Sequence, residues 1–170
     1  MTQVPSIAER IVDSLVAALE SINPEGGYWL DYNVSRFSGM GILKDPPRVV
    51  VSTRGADAEL EEIHSVRESL SIDLDADIVH DQKRYRDQID ESETDRLIQR
   101  AADDLKRCVL QWVFKDADDL ELQLDEIHWD RDDGVHGRKE HGFSMFVVVS
   151  YLHSSIDPRT RKFDPQELVQ

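Results

Sequence analysis

Three aspartates at alternate positions, Asp73, Asp75 and Asp77, come closest in this chain of 170 residues to a spacing that could do chemistry. Such a row resembles the opening of a calcium-binding loop or the acidic site of a metal-dependent hydrolase. A calcium loop needs a glycine for its turn and a bidentate glutamate several positions later. Here Ile78 stands in the glycine's place, and the row lies inside Leu70-Ser71-Ile72-Asp73-Leu74-Asp75-Ala76-Asp77-Ile78, where every second residue is apolar. That alternation describes a strand with one core face and one wet face. Like charges along it stand ~7 Å apart, so a hydrolase site would need a divalent cation to offset their repulsion. A solvated strand surface is the favoured reading, with the metal-dependent hydrolase kept as a rival.

The other reactive residue types give less. His128, His136 and His141 straddle a glycine-containing loop, but their spacing matches no usual zinc pattern. The single cysteine, Cys108, falls on the apolar stripe of a helix and reads as a small core residue; alone, it excludes an intrachain disulfide framework. No Gly-x-Ser-x-Gly segment and no glycine-rich phosphate loop ending in Lys-Ser or Lys-Thr is present. The reading is of a protein that is not an enzyme and needs no cofactor and no metal. Trp29, Tyr32, Phe37 and Met40 cluster in a glycine-rich segment and read as core, or alternatively as a subunit interface. The mixed-charge loop from Arg131 to Gly142, with Arg138 and Lys139, is a second candidate contact.

Charge narrows the partners. Lys plus Arg number 20 against 35 Asp plus Glu, a formal net charge of −15. Affinity for bare nucleic acid comes largely from Lys and Arg displacing counterions at phosphates, so this balance argues against such a role, and equally against an anionic membrane surface. From Gly55 to Asp95 fourteen acids face four bases, which concentrates ten of the fifteen net charges in one stretch. Ordinary solubility charge would explain this; so would the wall of a pore through which DNA slides without sticking. The sequence shows neither a bilayer-length apolar run nor a basic-then-apolar leader, and a reducing aqueous compartment is expected.

The elements that must position these residues follow from periodicity. Ser6 and Glu9 have capping-box spacing, and Ile7, Ile11, Val12, Leu15, Val16, Leu19 and Ile22 form a helical stripe that ends at Asn23-Pro24. Tyr28 to Tyr32 predicts a strand, and Asn33 to Lys44 a loop with one short strand. Arg48 to Thr53 predicts a buried strand ending at Gly55, and Leu70 to Ile78 the alternating one. After a polar connector, Val79 to Glu91, a second helix is capped by Asp90 or Ser92. It carries Leu97, Ile98, Ala101, Leu105, Cys108, Val109 and Trp112 inside, and Arg96, Arg100, Asp103, Asp104 and Arg107 outside. Leu120, Leu122 and Leu124 open a strand reaching Trp129, paired as a hairpin with a central strand from Phe143 to Leu152. The expectation is one domain over 1–156 and a polar carboxy-terminal arm over 157–170. Its class is α+β, in the order α-β-β-β-α-β-β, with two helices on one face of a mainly antiparallel sheet.

This layout resembles the tail terminator proteins, also called tail completion or minor tail proteins, of long-tailed bacteriophages and phage-like particles. The residues that carry the resemblance are the helix Ile7 to Ile22 with its Asn23-Pro24-Glu25-Gly26-Gly27-Tyr28 exit, and Pro46-Pro47-Arg48-Val49-Val50-Val51-Ser52. The long alternating strand, the helix from Glu93 to Val113, and Val147-Val148-Val149-Ser150-Tyr151 followed by Asp157-Pro158 complete it. The resemblance implies a subunit of a homo-oligomeric ring, commonly a hexamer, in the tail-neck region of a virion. Such a ring caps the tail-tube protein, stops its polymerisation and offers a docking surface to the neck or head-completion protein. DNA would be only cargo in its lumen, and Asp73, Asp75 and Asp77 would be the nearest match to an acidic inner wall. A different neck or head-closure adaptor of the same particle is the closest alternative.

Overall fold

Ser6 and Glu9 open the first helix as their spacing requires. The Glu9 carboxylate accepts from the Ser6 amide at 2.7 Å, and the Ser6 hydroxyl accepts from the Glu9 amide at 3.2 Å. The computed structural model describes residues 5–37, 45–62, 65–80, 91–120, 122–132 and 140–154. Helix α1 (Ile7–Glu20) buries Ile7, Ile11, Val12, Leu15 and Leu19 on one stripe. It gives way to a single tight turn, Pro24–Gly26, in which the Asn23 side chain accepts from the Gly26 amide at 2.8 Å. Gly27 then takes a φ of 80°, a left-handed conformation that suits a residue without Cβ.

Five strands follow the expected order around a second helix: β1 (Asn33–Arg36), β2 (Arg48–Glu62), β3 (Ser65–His80), α2 (Glu91–Leu120), β4 (Gln123–Asp132) and β5 (Glu140–Ser154). They form one sheet in the spatial order β1-β2-β3-β5-β4, antiparallel throughout except for the parallel pair β1 and β2. The class is therefore α+β with a mixed, mostly antiparallel sheet. The register puts Leu70, Ile72, Leu74 and Ala76 of β3 opposite Val149, Val147, Met145 and Phe143 of β5. All eight are buried, with Val49 and Val51 of β2 beside them. Helix α2 lies against β3, β4 and β5, and α1 lies against β1 and α2. Ile98, Ala101, Leu105, Val109 and Trp112 of α2 close this core, and the Trp112 indole donates to the Ser14 hydroxyl at 3.0 Å.

Several expectations need correction. Tyr28 to Tyr32 is not a strand; the amides of Trp29 and Leu30 turn to a side chain of α2, and the ladder begins only at Asn33. Strand β2 continues past Thr53 and Gly55 to Glu62, with a register shift between those two residues. Strand β3 begins at Ser65, five residues earlier than its apolar alternation indicates. Helix α2 starts at Glu91, placing Ser92 within it, and runs to Leu120, so the strand after it starts at Gln123. Gly142 belongs to β5 rather than to the preceding loop. A Cβ there would stand 2.1 Å from the Ala76 carbonyl oxygen, so the close approach of β3 and β5 needs glycine at that position. Asp90, most of the polar connector and the arm over 157–170 lie outside the described residues.

Candidate functional site

The helices cover one face of the sheet, and the other face carries the aspartate row. On β3, Asp73, Asp75 and Asp77 alternate with the buried Ile72, Leu74, Ala76 and Ile78. Each carboxylate has a partner of its own. Asp73 accepts from Arg54 Nε at 2.8 Å, Asp75 from the Ser144 hydroxyl at 2.7 Å, and Asp77 from Arg48 Nε at 2.6 Å. Across β3, the Arg54 guanidinium lies 5.3 Å from the centre of the Phe146 ring of β5, and the His128 ring of β4 lies 5.1 Å from that of Phe146. Glu126 and Asp130 share this face through their pairing with Val148 and Ser144. Around the half-buried Phe146 this face carries Asp73, Asp75, Asp77, Glu126 and Asp130 with Arg48 and Arg54, and the pairing of β2 with β3 extends it to Asp57 and Glu59 beside Arg67. Among the described residues, no three His, Cys, Asp or Glu side chains are grouped to hold a metal ion. The spacing along β3 and the commitment of each aspartate to a different neighbour explain why the row itself is not such a group.

A second cluster was not legible as one. Asp104, expected on the outer face of α2, is only 3 % exposed. Its carboxylate accepts from the Trp29 amide at 2.9 Å and the Leu30 amide at 3.1 Å, and the Tyr32 hydroxyl stands 3.5 Å away. Burial raises its pKa, while the Leu30 and Trp29 amides and nearby Arg107 act in the opposite direction. Burial and then Asp104 also push the Cys108 thiol up to about 11, which suits a buried core residue and not a nucleophile. The same burial, with Asp104 beside it, raises Tyr32 strongly. The signal was present in the helical projection: Asp104 sits between Ala101 and Cys108 on the apolar side, where an acid must find donors.

This clamp fixes what surrounds Trp29. Trp29 is 60 % exposed, and the Arg100 guanidinium lies 4.3 Å from the centre of its ring. The Arg107 guanidinium lies 4.7 Å from the Tyr28 ring and donates to the Gly27 carbonyl at 2.9 Å. The four aromatic and sulfur-bearing candidates therefore separate: Tyr32 is core, Trp29 and Phe37 are exposed, Phe37 by 68 %, and Met40 lies outside the described residues. Of the charged loop, Arg131 is in β4 and pairs with Asp95 of α2, within the same chain. Arg138, Lys139 and His136 lie outside the described residues. No helix among the described residues is long and apolar enough to cross a membrane. No known family model matches the sequence, and no curated protein is significantly similar to it.

Proposed function

We propose that the chain is a structural ring subunit of the tail-terminator kind, which caps a phage tail tube and receives the neck of the DNA-filled head. The observation that carries this reading is the uncovered sheet face. An α+β protein with helices on one side only leaves a broad surface bare, and here, among the described residues, the carboxylates on that surface well outnumber its arginines, Arg48, Arg54 and Arg67. Facing a channel, it would repel DNA phosphates and let the duplex pass without being held. The net charge of −15 works in the same direction. The buried Arg48 is tied to Asp77 and the more exposed Arg54 to Asp73, so part of the positive charge on this face is offset by its own carboxylates.

No bond chemistry is required of such a protein. A ring closes when one patch of each subunit meets a different patch of its neighbour and the rotation returns to the start. Polymerisation stops when only one side of that ring matches the tube. The test is removal of the gene from its particle. Tails of uncontrolled length that fail to join heads are expected, and tails of normal length joined to heads in its absence would overturn the proposal.

A further inference from the structure

The end of the sheet where Ser65 of β3 pairs with Ser154 of β5 holds a group of polar side chains out of water. Glu68 pairs with Tyr151 and Val66 with His153, so Glu68, Tyr151 and His153 continue the face that carries the core further along these strands. His153 is 8 % exposed and Tyr151 is fully buried. Both nitrogens of the His153 ring stand beside acceptors. Nδ1 is 2.8 Å from the Ser154 carbonyl oxygen, and Nε2 is 2.9 Å from Glu68 Oε2. The second contact is off the line of a hydrogen bond, and the buried Nε2 has no other hydrogen-bond partner among the described residues. Glu68 also accepts from the Tyr151 hydroxyl; burial first, and then this bond, raises the pKa of the tyrosine.

Counting protons exposes a conflict. A carbonyl oxygen has none to give, so Nδ1 carries one. A neutral ring would then set the lone pair of Nε2 beside a carboxylate oxygen, two buried acceptors with no room for water between them. One further proton removes the conflict. Histidine is ordinarily the stronger base, with a pKa of about 6.5 against about 4.3 for glutamate, so that proton belongs on the ring. No other titratable side chain shares this face of the strand ends among the described residues. Ala58 and Leu60 of β2 stand opposite Glu68 and Val66, while Asp57, Glu59 and Arg67 alternate to the other face. Lys115, the last described side chain of α2, is exposed.

We propose that His153 and Glu68 form a proton-operated latch that ties the end of β5 to the end of β3. When it is closed, the doubly protonated ring faces the Glu68 carboxylate and donates to the Ser154 carbonyl. As pH rises the ring gives up the proton on Nε2, and the last rungs of the ladder, Val66 with His153 and Ser65 with Ser154, lose their side-chain tie. Residues 155–170 continue the chain directly from Ser154, so the charge on this ring sets how firmly the root of that segment is held. A proton bound more tightly in the folded chain stabilises it fully below the ordinary histidine value and is lost as a source of stability above it; Glu68 must also be ionised. The latch therefore contributes most between about pH 4.3 and 6.5. It is independent of the ring reading, since a monomer would carry it too.

A double-mutant cycle in the full-length chain tests the latch. H153Q, E68Q and the double variant are unfolded in urea on either side of the ordinary histidine value, at pH ~5.5 and ~8.5. The coupling between the two sites is expected to be about tenfold in the unfolding constant at the lower pH and close to none at the higher. A pair that is merely packed would couple equally at both, and that result would overturn the proposal. Nitrogen NMR of the wild-type ring, assigned through its bonds to the backbone, gives a second readout that does not depend on any variant folding. Protons on both ring nitrogens at pH ~5.5, and on one at pH ~8.5, are expected. A bare Nε2 at the lower pH would overturn the latch.

Discussion

Replacing Asp104 with alanine tests whether one buried carboxylate holds the segment from Tyr28 to Tyr32 in place of strand pairing. In the folded chain this carboxylate accepts from two backbone amides, at 2.9 and 3.1 Å, with the Tyr32 hydroxyl at 3.5 Å. A hydrogen bond to a charged group contributes about 1.5–3 kcal/mol, and a buried amide left without a partner costs about 1–3 kcal/mol. Part of that loss is returned, because burial disfavours the charge itself, as the raised pKa shows. The net expectation is about 2–4 kcal/mol. For a chain of this size that lowers the unfolding midpoint by roughly 5–15 °C. Calorimetry gives the midpoint, and hydrogen exchange at the Trp29 and Leu30 amides locates the effect. A midpoint within 2 °C of wild type, or unchanged protection of those two amides, would refute the clamp.

The same residue should leave a mark on the pH profile. Because the folded pKa of Asp104 lies above the ordinary 3.8, its contribution to stability is fully present below the unfolded value and is lost as pH rises through the folded one. Unfolding midpoints of wild type should therefore fall relative to Asp104→Asn across that window, and parallel curves would count against it. Gly142→Ala would force a Cβ to within 2.1 Å of the Ala76 carbonyl, so β3 and β5 must part; a loss of about 2–4 kcal/mol in urea unfolding is expected, and a neutral result would contradict the close approach. Asp77→Ala removes a partner of the buried Arg48 side chain and should cost about 1–3 kcal/mol. Asp75→Ala, which removes only the bond from Ser144, should cost less than about 1 kcal/mol in the same assay.

What the sequence made legible were the places where burial and periodicity coincide. The capping box at Ser6 and Glu9, the stripe of α1 and the alternation of β3 all stand as the spacing implies, because each presents one apolar face to a core. Strand β2 beyond Gly55 carries an alternation too, Ala56-Asp57-Ala58-Glu59-Leu60, but two of its three apolar residues are alanines, so it does not stand out as a core strand. Among the described residues nothing in its own chain covers Ala56, Ala58 and Leu60, and in the sequence the segment counts only toward the acidic stretch from Gly55 to Asp95. Asp104 was hidden for the opposite reason. A charged type on a helix reads as solvent-facing unless its donors are known, and those donors, Trp29 and Leu30, lie some seventy positions earlier in the chain. The false strand at Tyr28 to Tyr32 and the misplaced Asp104 are one error seen from two sides, since the carboxylate takes the amides that a ladder would have used. The aspartate row was legible as a surface, while its pairing with Arg54 and Arg48 depended on the register of β2 against β3.

The central claim is that this chain acts as a repeated building block around a hollow axis. Electron microscopy of the purified protein tests it most directly. Closed rings of one size with a central opening wide enough for duplex DNA, ~20 Å or more, are what the account predicts. Single particles of 19.5 kDa at every concentration, with no ring in any field, would contradict it.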